Sequence, residues 1–197
     1  MIVILTGERG VGKSTACQKT VARAQARGYV CGGIITLSHP NNKRDVLDVR
    51  SGAVRQLTLD PAGSNPRERE NESDTDSVVT QGRFRFDPAT LAWANDAFTR
   101  TSTCHLFVVD ELGPLELERG RGWLKALDVL RGADFTLALV VVRPELLEQA
   151  RIKLPSSGAT DVLTVTYRNR DGMPAVLLEI LEREISSTAG IELYSGS

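Results

Sequence analysis

A glycine-rich turn between a short apolar run and a long segment without glycine or proline constrains the fold more than any other feature of the sequence. Residues 2–5 are apolar and mostly β-branched, as expected for a strand covered on both faces. Residues 13–27 carry alanines and long polar side chains, which favour a helix, and Gly28 can cap its C-terminus. The pattern predicts a buried strand, a tight turn and a helix in direct succession.

The turn has the spacing G-x-x-x-x-G-K-[ST], which is typical of loops that surround nucleotide phosphates. Its residues are Gly7, Glu8, Arg9, Gly10, Val11, Gly12, Lys13, Ser14 and Thr15. The glycines permit positive φ angles and bring backbone N–H groups close to phosphate oxygens, and the helix N-terminus adds a positive dipole end. Lys13 can reach the β- and γ-phosphates, and the Ser14 hydroxyl can bind Mg²⁺. We therefore predict a nucleotide phosphate site at residues 7–15, with Lys13 in a catalytic role.

Further along the chain, apolar runs alternate with segments of helical pattern. The predicted strands are residues 29–37, 106–109, 135–142 and 162–167, and the predicted helices are residues 88–100, 123–130, a short one from 144, and 174–187. Repeated strand–helix alternation with continuous apolar strands predicts a largely parallel sheet with helices on both faces. The length of 197 residues fits a single domain over residues 1–197.

Residues 44–80 do not follow this alternation. Short alternating runs at 46–49 and 54–59 flank Ser51-Gly52 and predict a β-hairpin. Residues 61–80 are rich in acids and have almost no apolar side chains, which indicates a solvated, flexible loop, with an acidic docking segment as the alternative. We interpret residues 44–80 as an insertion beside the sheet.

Composition excludes several classes of protein. The formal net charge is −1 and aromatic residues make up 5%, so we expect neither nucleic acid nor a membrane surface as a partner. The longest apolar run, residues 137–142, is far shorter than the roughly 18 residues of a membrane span. The three cysteines form no C-x-x-C pair, which argues against disulfides or zinc. The expectation is a soluble, cytoplasmic protein; no protein partner can be named.

Two acids follow the apolar run at 106–109. Asp110, at the end of a predicted buried strand, is placed to hold Mg²⁺ beside the hydroxyl of Ser14. Glu111 comes next, where a carboxylate can position a water in line with the γ-phosphate. The pair favours hydrolysis over simple binding.

Residues 110–117, Asp-Glu-Leu-Gly-Pro-Leu-Glu-Leu, resemble the signature D-E-[IL]-G-P-[ML]-E-[LF] of the THEP-type, or cancer-related, nucleoside-triphosphatases. Asn169-Arg170-Asp171, followed by Met173-Pro174, is similar to that family's N-R-D-x-[LM]-P segment. Two segments depart from the family pattern. Residues 33–38 lack the acids of G-F-[YI]-T-x-E-V, and residues 44–47 lack the Gly-Phe of R-x-G-F.

The resemblance implies a three-layer, RecA-like P-loop NTPase domain that slowly hydrolyses ATP, GTP and other nucleoside triphosphates with Mg²⁺ and loose base preference. It implies that Lys13 binds the phosphates, that Ser14 and Asp110 bind the metal, and that Glu111 positions the attacking water. Asn169 and Arg170 would lie near the base, where a guanidinium can stack on any base. The alternative for Arg170 is a solvated loop arginine.

Three further residues have two interpretations each. Arg9 either adds charge at the transferred phosphate or points to solvent or to Glu8. Glu116 either approaches the outer shell of the metal or is an acid at a helix N-terminus. Arg143, after the strand at 135–142, either senses the γ-phosphate or forms a surface ion pair.

Two other functions share the same loop. A P-loop kinase would transfer the γ-phosphoryl group to a nucleotide or another small acceptor, and residues 44–85 could then supply an arginine-bearing lid. A nucleotide-dependent switch would use hydrolysis only to time a partner interaction. Hydrolysis is the interpretation that the pair Asp110-Glu111 favours.

Overall fold

A computed structural model of the chain describes residues 1–40, 43–59, 79–81, 84–100, 103–132, 134–155 and 160–192. The strands are β1 Ile2–Thr6, β2 Cys31–Ser38, β3 Arg44–Asp48, β4 Val54–Gln56, β5 Thr58–Leu59, β6 Val79–Gln81, β7 Phe84–Phe86, β8 Thr103–Leu112, β9 Asp134–Val142 and β10 Thr160–Thr164. The helices are α1 Lys13–Ala26, α2 Pro88–Thr99, α3 Pro114–Leu117, α4 Leu124–Gly132, α5 Leu147–Lys153 and α6 Met173–Glu192, and a 3₁₀ turn spans Pro144–Leu146.

The main sheet has seven strands in the order β10-β1-β9-β8-β2-β3-β4. The first five are parallel, and β3 and β4 continue the sheet as antiparallel edge strands. A second, three-stranded antiparallel sheet has the order β5-β7-β6. The predicted mostly parallel α/β architecture is confirmed.

Helices cover both faces of the main sheet. Alternate residues of β1 enter two separate cores, Ile2 and Ile4 on one face and Val3 and Leu5 on the other. Helices α1 and α6 cover the second face, whereas α2 and α4 cover the first. This two-sided burial explains why the strands of the parallel part are continuously apolar.

Several predicted boundaries are wrong. Strand β8 extends from Thr103 to Leu112, so Asp110 and Glu111 lie within it rather than after it. Strand β10 ends at Thr164, so residues 165–167 belong to the following turn. The predicted hairpin is present as β3 and β4, and it extends the main sheet at one edge. Of the predicted acidic loop at 61–80, residues 79 and 80 form part of β6, and residues 61–78 lie outside the described residues.

Two further features concern the helices and the cysteines. Within the part of the chain that the structure describes, no helix combines the length and the apolar character of a membrane span. Cys17, Cys31 and Cys104 are free and buried.

Candidate active site

The glycine-rich loop joins β1 to α1 at the carboxyl edge of the parallel strands. Gly7, Gly10 and Gly12 have φ angles of 137°, 77° and 110°, which L side chains rarely adopt. A Cβ added to Gly7 would lie 2.3 Å from the carbonyl oxygen of Val165, so the first glycine is also required for the close approach of the turn after β10. The loop therefore has the backbone that the sequence pattern predicts.

Lys13 folds back over this loop. Its Nζ donates to the carbonyl oxygens of Gly7 and Glu8 at 2.6 and 2.8 Å. Burial lowers the pKa of Lys13 because it desolvates the ammonium, and the negative charges of Glu111 and Asp110 oppose that shift. The ammonium thus lies where phosphate oxygens can replace the two carbonyls as its partners.

Asp110 is the most buried acid of the site, with 1% of its surface exposed. One carboxylate oxygen accepts a hydrogen bond from Ser14 Oγ at 3.0 Å, and the other accepts one from the backbone N–H of Thr36 at 3.0 Å. Burial raises the pKa of Asp110 to about 7, and these two hydrogen bonds act in the opposite direction. The contact joins the first turn of α1 to the end of β8.

A β-bulge explains how two consecutive residues of β8 serve one site. In a regular strand, Asp110 and Glu111 would point to opposite faces of the sheet. Val109 pairs with Val140 and Leu112 with Val142, so both acids stand opposite a single residue of β9. Glu111 has φ 74°, which is strained for a residue with a Cβ. The bulge turns its carboxylate into the cavity that Asp110 also lines.

Two arginines hold the carboxylate of Glu111. Arg143, which follows β9, donates from Nη2 to Oε1, and Arg44, at the start of β3, donates from Nη1 to Oε2 at 3.1 Å. The guanidinium of Arg44 also lies over the ring of Phe84, 4.3 Å from its centroid. The ion pair of Arg143 is therefore inside the site rather than on the surface. Sequence reasoning gave Arg44 no role at this carboxylate, because nothing in the pattern indicates which strand lies beside β2.

These groups line one cavity of about 490 Å³. Basic side chains outnumber acidic ones among its described lining residues, which suits a polyanionic ligand. The basic residues are Arg9, Lys13, Lys43, Arg44 and Arg143, and the acidic ones are Asp110 and Glu111.

The predicted loop residues have different positions around this cavity. Gly10, Gly12, Ser14 and Thr15 line it together with Arg9. Glu8 lies in the loop with its side chain exposed, so its contribution to the site is its carbonyl oxygen. Val11 is 1% exposed and packs in the core beneath α1 and α6.

The segment after β10 lies beside the loop and does not line the cavity. Asn169 accepts from the backbone N–H of Thr166 at 2.7 Å and donates to the carbonyl of Thr164 at 2.9 Å, so its side chain closes the turn. The aliphatic part of Arg170 is 3.6 Å from the position of a Cβ on Gly12, and its guanidinium is 5.3 Å from the ring centroid of Tyr167. Sequence reasoning missed this exposed tyrosine.

Glu116 acts as a helix cap and not as a group of the cavity. Its two carboxylate oxygens accept from the backbone N–H groups of Gly113 and Trp123 at 2.8 and 2.9 Å. Gly113 precedes α3, so this is the interaction of an acid at a helix N-terminus. Of the two interpretations of Glu116, the structure supports this one.

A parallel sheet covered on both faces, with a glycine-rich loop between its first strand and first helix, defines the P-loop NTPase fold. A protein-family model described as NTPase matches residues 2–181. The chain therefore belongs to this NTPase family.

Similar proteins agree with the resemblance seen in residues 110–117. The chain is 27% identical to nucleoside-triphosphatase THEP1 of Methanosarcina acetivorans, over 87% of this chain and 91% of that protein. It is 28% identical to nucleoside-triphosphatase THEP1 of Thermofilum pendens, over 93% of this chain and 94% of that protein. The solution structure of a human cancer-related nucleoside triphosphatase has the same fold, with a TM-score of 0.65 and 20% identity over 92% of this chain and 97% of that one.

Proposed function

We propose that this protein hydrolyses nucleoside triphosphates to the diphosphate and inorganic phosphate, with Mg²⁺ as cofactor and with loose base preference. The observation that carries the proposal is the convergence on one cavity of Lys13, the Ser14–Asp110 pair and Glu111. Family membership and the names of the relatives support the same chemistry.

The residues of the loop bind the triphosphate. Backbone N–H groups at the N-terminus of α1 and the ammonium of Lys13 surround the β- and γ-phosphates. Lys13 exchanges the carbonyl oxygens of Gly7 and Glu8 for phosphate oxygens, which carry full charge and are stronger acceptors. Binding therefore needs a change of partners at Lys13.

Ser14 and Asp110 would hold Mg²⁺. Their oxygens are 3.0 Å apart at the edge of the cavity, and a hydroxyl and a carboxylate are the hard oxygen donors that Mg²⁺ prefers. The described residues contain no group of three or more His, Cys, Asp or Glu side chains that could hold a metal by themselves. One carboxylate completed by substrate phosphates and water fits Mg²⁺, which in the bound state neutralises charge on the β- and γ-phosphate oxygens.

Glu111 orients the attacking water. Its carboxylate accepts a hydrogen bond from the water and takes up the proton as the oxygen of the water bonds to the γ-phosphorus. The bond between that phosphorus and the β,γ-bridging oxygen breaks, and the diphosphate leaves with the electron pair. The bulge in β8 supports this role because Glu111, at the bulge, lines the same cavity as the loop.

Loose base preference is supported by the groups beside Gly12. Arg170 and the exposed Tyr167 present a planar guanidinium and an aromatic ring, and such groups stack on any purine or pyrimidine. Asn169 uses its side chain to close the turn that carries Arg170, and its place near the base stays a prediction.

The test is phosphate release from a panel of nucleoside triphosphates with Mg²⁺, combined with a separate measurement of nucleotide binding. Glu111→Gln should bind nucleotide and lose release by about 100-fold or more, whereas Lys13→Ala should lose both. Lys19→Ala, an exposed lysine on the same helix, and Glu118→Gln, an exposed acid after α3, are the matched controls and should behave as the wild type.

Binding without phosphate release by the wild type would exclude hydrolysis. Phosphoryl transfer to a second small molecule is the alternative that the same loop allows, but the comparisons do not favour it, because the relatives named above are nucleoside-triphosphatases.

A further inference from the structure

Both oxygens of the carboxylate that we propose orients the water are paired with arginines. Each carboxylate oxygen of Glu111 faces its own guanidinium, Arg143 at Oε1 and Arg44 at Oε2. Two positive charges against one negative charge leave an excess of one positive charge at this end of the cavity. The two guanidiniums fix the orientation of the carboxylate, so loss of one of them would let Glu111 turn toward a water at the γ-phosphate.

The two arginines are held very differently. Arg44 has 12% of its side chain exposed and lies over Phe84. Its backbone N–H donates to Thr58 Oγ1 at 2.9 Å, and its carbonyl accepts from Leu57 N–H at 2.8 Å. Strand β3 and the smaller sheet therefore anchor Arg44 at its backbone and at its guanidinium.

Arg143 has a looser setting. It follows the end of β9, and 33% of its side chain is exposed. Arg143 lines the same cavity as Lys13, whose ammonium we propose binds the phosphates. A γ-phosphate bound by Lys13 would carry about two negative charges and would compete with the single charge of Glu111 for this guanidinium.

We propose that the terminal phosphate releases Glu111 by taking over Arg143, while Arg44 remains paired with Glu111 and holds its free oxygen toward the attacking water. Arg143 is then a residue that contacts the substrate, and Arg44 is a positioning residue. A diphosphate, which lacks the γ-phosphate, leaves Glu111 held by both arginines. This inference rests on the proposed function and adds to it a reason why hydrolysis waits for a complete triphosphate.

The first test concerns binding alone and needs no turnover. For Arg143→Met, the Kd of a β,γ-imido nucleoside triphosphate should rise about 10- to 100-fold, the loss expected for a charge-assisted hydrogen bond, while the Kd of the diphosphate changes less than about 2-fold. Arg151→Met, an exposed arginine on α5, is the matched control and should change neither Kd. Equal losses for triphosphate and diphosphate would overturn the assignment of Arg143.

The second test separates kcat from KM. Arg44→Met should lower kcat about 100-fold, the effect of a misplaced catalytic group, with KM and both Kd values within about 3-fold of the wild type. Arg44→Lys keeps one charged donor and should recover part of the lost kcat. A thermal unfolding midpoint above the assay temperature shows that each variant is folded.

The outcomes separate the two proposals. A rise in KM parallel to the fall in kcat, or no recovery in Arg44→Lys, would overturn the role of Arg44 as a positioning residue. If the wild type releases no phosphate, the proposed hydrolysis fails and the role of Arg44 fails with it, while the ratio of the two Kd values still decides whether Arg143 contacts the terminal phosphate.

Discussion

Replacement of Glu116 by glutamine should remove a pH dependence from the stability of the fold. Glu116 is 5% exposed, and burial raises its pKa from an ordinary value near 4.5 to about 7, although hydrogen bonds from Trp123 and Gly113 act against that shift. The folded chain therefore binds more protons at Glu116 than the unfolded chain does between about pH 4.5 and pH 7. Its contribution to the free energy of unfolding falls as the pH rises through this window.

The size of the effect follows from the shift. A rise in the pKa of Glu116 from 4.5 to about 7 corresponds to about 3 kcal/mol as an upper value. Glutamine carries no charge and has one acceptor for the N–H groups of Gly113 and Trp123, so Glu116→Gln has a constant cost of about 1–3 kcal/mol. The difference in unfolding free energy between wild type and variant should thus shrink by about 2–3 kcal/mol from pH 5 to pH 8.

Urea unfolding at several pH values measures this difference directly. Subtraction of the variant cancels the other titrating groups, including Asp110, because both proteins contain them. Glu118→Gln, at an exposed position two residues further on, is the control and should leave the pH dependence of the wild type intact. A difference between wild type and Glu116→Gln that stays constant from pH 5 to pH 8 would refute the assignment of a raised pKa to Glu116.

Two further replacements test the backbone and the polar atoms near the site. Gly33→Ala should cost about 3 kcal/mol more unfolding free energy than Gly28→Ala. The angle φ is positive at both positions, but only at Gly33 would the new Cβ meet backbone, 2.0 Å from the carbonyl oxygen of Val108. Urea unfolding of both variants measures the two costs, and equal costs would contradict this reasoning. Thr6→Val should raise the thermal unfolding midpoint by about 2–4 °C. The buried Oγ1 of Thr6 has no hydrogen-bond partner among the described residues, so its removal should raise the unfolding free energy by about 1 kcal/mol. A lower midpoint by calorimetry would show that the hydroxyl has a partner.

The parallel part of the fold could be predicted because each strand is buried on both faces. Residues 2–5 and 137–142 are continuously apolar, and in the structure they alternate between two cores. The extent of β8 could not be predicted, because it includes the charged residues Asp110 and Glu111. Hydrogen bonds from the first turn of α1 and from the arginines stabilise these two carboxylates inside the strand. The place of β3 between β2 and β4 follows from two local antiparallel pairings, and hydrophobic periodicity does not show that these pairings extend the main sheet.

The part of the site formed by consecutive residues could be predicted, and the part formed by residues distant in the chain could not. Residues 7–15 form one turn, so their spacing carries the geometry of the phosphate loop. Arg44 lies 67 residues before Glu111 in the chain, and Arg143 lies 32 residues after it. Only the order of the strands brings them together. The predicted roles of Asn169 and Arg170, the use of Mg²⁺ and a cytoplasmic location stay predictions.

Residues 110–117 act as one structural unit, which explains why acids, a turn and a further acid occur in that order. The left-handed backbone at Glu111 costs about 1–2 kcal/mol, and such a conformation persists only where the surroundings determine it. On one side the arginines hold its carboxylate, and on the other Leu112 returns to the sheet opposite Val142. Glu116 then fixes the N–H of Gly113 directly after the strand. Glu116 does not line the cavity, but it thus holds the chain in the conformation that directs Glu111 into the cavity.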